Sequence, residues 1–270
     1  MSAAAEQGYA YDNDSAQATA HHAALAELLD EHTRWRIEEL IELPGKRCLE
    51  VAAGAGSIAR WLAVRVGPDG HVLATDLKPQ HISGGPGLTV RPHDITSGEP
   101  LGAFDLVHAR LLLNHLPQRD AALRHLVGAL KPGGVLLTED FWPTPGEEIV
   151  ARAPDPATAA LLAVYQRAHS AVLTAHGNDR SWARRAHAEF HAAGLVDVGV
   201  RVHGSSWPGG GPGCRLLLAG IGQLRDQYFD FGLSEQDLAE VAAALLDPRL
   251  ALNGYLVYQT SGRRPAGSAR

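Results

Sequence analysis

The chain has 270 residues, 45% of them hydrophobic and 20% charged, with a formal net charge of −6. This composition suits a globular protein with a sizeable buried core, and the length fits one α/β domain with insertions. The acidic balance argues against a nucleic-acid surface, which needs a basic face, and no stretch reaches the length of a membrane span.

The N-terminal "MSAAAEQGYAYDNDSAQ" is polar, small and aperiodic. It lacks the basic start and apolar core of a secretion signal, so a cytoplasmic location is expected. From His22 to Leu43, Leu25, Leu28, Leu29, Trp35, Ile37, Leu40 and Ile41 recur at helical spacing until "LPGK" breaks the pattern. Strands are expected at 47–52, 71–77, 88–95, 104–110 and 135–141, with helices at 57–66 and 111–134, the second stopped by Lys-Pro-Gly-Gly. Cys48 falls in the first apolar run and Cys214 far downstream, so no disulfide framework is implied.

Strand and helix alternating at this spacing imply right-handed βαβ units and a Rossmann-like, doubly wound, mostly parallel sheet. Further on, helices are expected at 155–176, 181–195, 214–229 and 233–248, the last with Ser234 as N-cap and Asp237 three residues on. A strand at 196–204, a Gly/Pro-rich loop at 205–213 and a final antiparallel strand at 253–262 bring the sheet to about seven strands. The expected organisation is an N-terminal arm and helical cap over 1–45 and an α/β domain over 46–262. Helical insertions fall at about 147–180 and 213–248, and a disordered tail over 263–270.

In such sheets ligands bind at the carboxyl ends of the strands. There the chain reads "LEVAAGAGS", with Gly54, Gly56 and Ala59 forming G-x-G-x-x-A. The glycines allow a sharp turn and close approach of a ligand, and the helix starting near Ser57 offers unpaired N–H groups to an anion. Three carboxylates end successive strands. Glu50 stands beside the loop, Asp76 is spaced to accept both hydroxyls of a ribose, and Asp94 is placed to accept from an adenine amino group; each alone would read as a solvated or capping carboxylate. A pyrophosphate on this turn would face Glu50 at a cost of about 1–4 kcal/mol. A ligand with adenosine, a carboxylate, an ammonium and a sulfonium would gain instead, and that ligand is S-adenosylmethionine.

As an ordered set, "LEVAAGAGS", "LATDL", "PHDI", "FDLVHARLLLNHLP" and "LKPGGVLLTED" resemble the motifs of class I S-adenosylmethionine-dependent methyltransferases over residues 45–142. The flanking segments resemble those of actinobacterial small-molecule, natural-product methyltransferases. In the family's E-x-G-x-G-x-G pattern this chain has Glu50, Ala52, Gly54 and Gly56, with alanine for the first glycine. The resemblance implies that Glu50 holds the methionine ammonium and that Ala52, Gly54 and Gly56 line the methionine moiety. By the same resemblance Asp76 binds ribose, Leu77 packs on adenine, Asp94 and Ile95 flank the base, and Ala109 and Arg110 lie at the methionine end. Arg110 would pair with the methionine carboxylate, or else with Asp105 or Glu139. Tyr9 and Tyr11 would fold over the cofactor as a lid, and the spent cofactor would be S-adenosylhomocysteine.

Methyl transfer is an in-line displacement in which the protein mainly aligns nucleophile, methyl and sulfur. If a general base takes part, His115, one turn into the helix after the fourth strand, is the candidate; the alternative is a packing role there. His108 is expected to point into the sheet or toward a helix and is set aside. Asp140, Trp142, Tyr165 and His169 are expected to line the acceptor cavity, with His176 on the same inserted helix. Trp35, Trp182, Trp207, Tyr228, Phe229 and Phe231 suit a hydrophobic acceptor, a homodimer contact or the core.

No metal-ligand set stands out, there being no C-x-x-C pair, and neither a phosphate loop nor a nucleophile elbow is present. Two other readings compete with O-, N- or C-methylation of a small molecule in secondary metabolism. An NAD-dependent oxidoreductase has the glycine loop and Asp76 in its favour and Glu50 against it. A protein that binds S-adenosylmethionine without transferring its methyl would carry the same pocket.

Overall fold

The computed structural model describes residues 10–11 and 17–266. The chain divides into two compact units. One takes residues up to Leu28, Trp142–Arg180 and His203–Leu256; the other takes Leu29–Phe141, Ser181–Val202 and the residues from Val257 on. The division falls within the first helix, α1 (Ala18–Leu40).

The sheet unit is built on β1 (Arg47–Val51), β2 (His71–Asp76), β3 (Leu88–Pro92), β4 (Phe104–Arg110), β5 (Leu130–Trp142), β7 (Val196–His203) and β10 (Leu256–Arg263), in the order β3-β2-β1-β4-β5-β10-β7. β1 pairs in parallel with both β2 and β4, and β4 in parallel with β5. Gly133 N–H donates to Arg264 O and Arg264 N–H donates to Gly134 O, so the end of β10 lies beside the beginning of β5 and the last strand is antiparallel. This is the expected Rossmann-like arrangement of seven strands with its strand ends on one edge. The tail expectation is corrected at its start: Arg263 belongs to β10, and Arg264 caps β5 through its guanidinium on the carbonyls of Gly128 and Leu130. Residues 267–270 lie outside the described residues.

Strand alternation sorts the apolar side chains onto two faces. Cys48, Leu106, Val135 and Leu137 pack with Ile37 of α1 and with Ile58, Ala59, Leu62 and Val66 of α2 (Ser57–Val66). Leu49, Val51, Val107, Ala109 and Leu136 pack on the other face with Leu123 and Leu126 of α3 (Arg119–Gly128) and with Trp182, Ala186 and Phe190 of α5 (Trp182–Ala192). Each Val, Leu, Ile or Phe among them contributes about 1.5–3 kcal/mol on removal from water.

Several boundaries differ from expectation; the strand expected at 88–95 ends at Pro92, so Asp94 lies two residues beyond its end. The helix expected at 111–134 is a 3₁₀ turn at Leu113–His115, then α3; Pro117 follows too soon for a continuous helix. The Lys-Pro-Gly-Gly stretch, expected as a helix stop, is already within β5.

The helical unit contains α4 (Pro156–Ala175), α6 (Pro212–Phe229) and α7 (Glu235–Leu246), which pack on one another, and a small sheet β6-β9-β8. β6 (Val150–Arg152), β8 (Ser206–Pro208) and β9 (Ala251–Asn253) were not expected. They are three residues each, too short for a period of two to register. Ser234 caps α7 in a reciprocal box with Asp237, as expected.

Candidate functional site

Glu50 on β1, His108 and Arg110 on β4 and Glu139 on β5 share the parity of Cys48, Leu106 and Leu137, so all four point to the α1 face of the sheet. Glu50 and His108 are register partners on adjacent strands. His108 Nδ1 lies 2.6 Å from Glu50 Oε2, while its Nε2 is 3.6 Å from Glu139 Oε2, an ion-pair contact too long for a hydrogen bond. His108 is fully buried, and Glu50 and Glu139 are 4% and 1% exposed. Burial opposes a charge on His108, but the two carboxylates outweigh it and push its pKa up to about 9. Glu139 moves the other way, down to about 2: burial disfavours its ionised form, yet His108, Arg110 and the Thr33 hydroxyl more than offset that.

Helix α1 completes this network. Thr33 Oγ1 lies 2.6 Å from Glu139 Oε2 and 3.1 Å from Leu29 O. A hydroxyl has one proton to give, and the shorter, charge-assisted contact takes it. Arg110 donates from Nη1 to Thr33 Oγ1 and from Nη2 to Asp30 Oδ1, both at 3.0 Å. Asp30 Oδ1 also accepts from the Ser57 hydroxyl at the start of α2, and Gln259 on β10 donates to Glu139 Oε1. Neither Asp105 nor Glu139 is the hydrogen-bond partner of Arg110, as the sequence reading offered; Asp105 pairs with Lys131 at 2.7 Å. His108, set aside on the sequence as pointing into the sheet or toward a helix, faces α1 and lies between two carboxylates. Glu50 thus carries a compensating imidazolium on one oxygen, while its other oxygen, Oε1, accepts no hydrogen bond among the described residues.

The glycine loop follows Glu50. Ala52 has φ 55°, Gly54 φ 55° and Gly56 φ 76°. The left-handed conformation explains why the family pattern has glycine where this chain has Ala52, a substitution that costs about 1–2 kcal/mol. Gly56 has a second constraint: a Cβ there would meet Ile82 Cγ2 at 2.7 Å. Gly56 is also the N-cap of α2 and supplies no side-chain cap, so that helix end can receive an anion. Leu111, just past β4, has φ 53°; strained residues therefore flank the strand ends at both β1 and β4.

Asp76 is buried at the end of β2. Its Oδ2 accepts from Gly54 N–H at 2.9 Å and its Oδ1 from Lys78 N–H at 3.1 Å, and each oxygen retains a second lone pair for a hydroxyl. Leu77 beside it is 64% exposed, an open apolar shelf. Ile95 and Ala109 are buried. Asp94 is exposed and caps its own turn, its Oδ1 accepting from the Thr96 N–H and hydroxyl.

On the opposite face, Asp140 is buried against Asn114 N–H at 3.3 Å and Trp182 Nε1–H at 3.2 Å. Burial pushes its pKa up to about 7, the two donors only partly offsetting it. His115 ends the 3₁₀ turn, half-buried, at the mouth of the segment after β4. It is not one turn into an α-helix as expected, because α3 starts only at Arg119.

Tyr11, Trp142, Tyr165 and His169 belong to the helical unit. Tyr165 and His169 are buried in it; His169 Nδ1 lies 2.8 Å from the Tyr228 hydroxyl, and burial lowers its pKa to about 4, leaving it neutral. His176, expected on the same side, bonds Gln227 at 2.7 Å. The Tyr11 ring lies tilted against His21 with centroids 4.8 Å apart; Tyr9 lies outside the described residues. Trp182 and Tyr228 are core, whereas Trp35 is half-exposed beneath the Arg201 guanidinium at 4.4 Å.

Asp30 and Thr33 escaped the sequence reading. The signal was there: with Ile37 they fall at i, i+3 and i+7, polar residues within the buried stripe of α1. His187 and His191 on α5 form an exposed H-x-x-x-H pair with rings 4.9 Å apart. No third ligand joins them among the described residues.

Residues 49–136 match the family model described as a methyltransferase domain. Methyltransferase str2 of Strobilurus tenacellus is 37% identical over 100 residues, covering 36% of this chain and 36% of that protein. The ubiquinone/menaquinone biosynthesis C-methyltransferase UbiE of Bordetella parapertussis is 35% identical over 108 residues, covering 36% of this chain and 42% of that protein. The matched stretch is thus less than half the length of either relative. Phosphoethanolamine N-methyltransferase 2 of Haemonchus contortus, solved with phosphomonomethylethanolamine and S-adenosylhomocysteine, shares the fold. Its TM-score is 0.59 at 15% identity over 95% of this chain and 60% of that one.

Proposed function

We propose that the chain is an S-adenosylmethionine-dependent methyltransferase acting on a small molecule. The methyltransferase-domain match over residues 49–136 supports the reaction class. The observation that carries the cofactor is the donor set at the strand ends. A buried Glu50 with one open oxygen, a buried Asp76 beside an exposed Leu77 and an uncapped helix end at Gly56 suit an ammonium, a ribose, an adenine face and a carboxylate in turn. These residues fit the group. When bound, it supplies an electrophilic methyl on a sulfonium.

The protein's own part is to orient. Asp76 holds the ribose hydroxyls and Leu77 the adenine face, with Asp94 and Ile95 flanking the base. Ala52, Gly54, Gly56 and Ala109 let the backbone approach the methionine end. Glu50 fixes the ammonium, and Arg110 acts through Asp30 and Thr33 to hold α1 against that end of the sheet. His115 is the candidate for removing a proton from the acceptor, with Asp140 as the sheet unit's candidate for lining the acceptor; Trp142, Tyr165 and His169 are the candidates that the helical unit carries. Natural-product biosynthesis in a cytoplasmic setting is the context this reading favours.

Calorimetric titration with S-adenosylhomocysteine and with NADH tests the cofactor. Binding of the first alone is expected, and binding of NADH alone would overturn the reading. Transfer of a labelled methyl from S-adenosylmethionine into small molecules of a cell extract separates catalysis from binding without transfer.

A further inference from the structure

The sheet unit holds an ionic group that cofactor binding by Glu50 alone does not require. His108 is fully buried between Glu50 and Glu139, on the face of the sheet covered by α1. The charged and polar groups around it come from five elements: Glu50 on β1, Glu139 on β5 with Gln259 of β10 and Thr33 of α1 bonded to it, and Arg110 on its own strand β4. A buried ion cluster of this kind is expensive, and hydrophobic residues of similar volume would serve stability as well. Its geometry therefore calls for another explanation.

We propose that His108 is a positioning residue for the cofactor's ammonium: it grips Glu50 Oε2 at 2.6 Å, so that the carboxylate is fixed in one orientation and its unpartnered Oε1 is left to receive the ammonium beside the glycine loop. Without that grip, the carboxylate loses the hydrogen bond that fixes its orientation. The terminal torsion of a glutamate is broad, so an ungripped carboxylate rotates and meets the ammonium less often in bonding geometry. Glu139 has a distinct part. It balances the imidazolium from the far side and ties it to α1 through Thr33.

The inference rests on the cofactor reading above, and the test separates the two. The probes are S-adenosylhomocysteine and its desamino analogue, 5′-S-(3-carboxypropyl)-5′-thioadenosine, titrated calorimetrically into the full chain. The wild type is expected to prefer S-adenosylhomocysteine; no preference would overturn Glu50 as ammonium partner, and with it this proposal. His108→Gln, whose amide overlays Nε2 and leaves Glu50 ungripped, is expected to lose about tenfold in affinity for S-adenosylhomocysteine and none for the desamino analogue. His108→Asn, whose amide overlays Nδ1 and still donates to Glu50, is expected to recover much of that loss. Equal loss for both ligands in His108→Gln would mark His108 as structural packing only, and no loss for either would also overturn the proposal. If His108→Gln does not fold, imidazole ¹⁵N resonances of the wild type decide. His108 should shift on adding S-adenosylhomocysteine but not the desamino analogue, and identical responses to both overturn the assignment.

Discussion

Arg110 and Asp30 are 80 positions apart in the chain and 3.0 Å apart in space. The pair joins the end of β4 to the middle of α1, and Asp30 passes the contact on to Ser57 at the start of α2. Both side chains are largely shielded, at 13% and 10% exposed, so this is not a solvent-screened surface pair. Arg110→Met should lower stability by about 1–3 kcal/mol, because Asp30 and Thr33 each lose a donor. Chemical denaturation measures it, and an unchanged midpoint would show the pair to be incidental.

Asp76 sits where its carboxylate serves both backbone and ligand. Asp76→Ala is expected to weaken S-adenosylhomocysteine binding at least tenfold, as about one charged hydrogen bond requires. Calorimetry gives the answer directly, and a wild-type dissociation constant would remove the ribose assignment.

His115→Ala should reduce turnover more than cofactor affinity if the imidazole takes a proton from the acceptor. A loss of about 10²–10⁴ in kcat is the range for a general base. Wild-type values of both would assign His115 to packing.

The glycine loop makes two opposite predictions. Gly56→Ala places a Cβ 2.7 Å from Ile82 at φ 76°, and should cost about 1–2 kcal/mol of stability as well as cofactor affinity. Ala52→Gly relieves a φ of 55° and should be neutral or stabilising by up to about 1 kcal/mol. Melting temperatures of the two variants should therefore move to opposite sides of the wild type or leave Ala52→Gly unmoved. A fall in both would contradict the backbone argument.

Three buried groups set the pH dependence. His108 has its pKa raised to about 9, so the stability it contributes is full below its ordinary 6.5 and is lost as pH rises from there to about 9. Glu139, lowered to about 2, contributes above its ordinary 4.5 and loses that contribution as pH falls below it. Asp140, raised to about 7, is protonated in the fold where the unfolded chain is not, so its effect weakens stability as pH climbs from 3.8 to 7. Thermal melts should therefore decline from mildly acidic to alkaline pH. Asp140→Asn should flatten the part below pH 7 and leave the decline above it. A variant curve parallel to wild type throughout would mean Asp140 does not titrate there.

Local pattern was enough for the sheet and its ligand edge. Alternation of short apolar runs with helical periods, broken by Gly and Pro, marked β1, β2, β4 and α2 to within a residue, and put Glu50, Gly54, Gly56 and Asp76 at strand ends, because chain direction alone decides which edge they occupy. The parity that sends His108, Arg110 and Glu139 to one face was also written in β4 and β5. Their partners were not. Asp30, Thr33 and Gln259 reach Glu139 and Arg110 from α1 and β10, over separations of 77 to 120 residues, and only the packing of a helix and an antiparallel strand against the sheet determines which carboxylate meets which cation. Buried charge must find its counter-charge within a few ångströms. That distance is a property of the tertiary structure, so the ionic network behind Glu50 became visible only there.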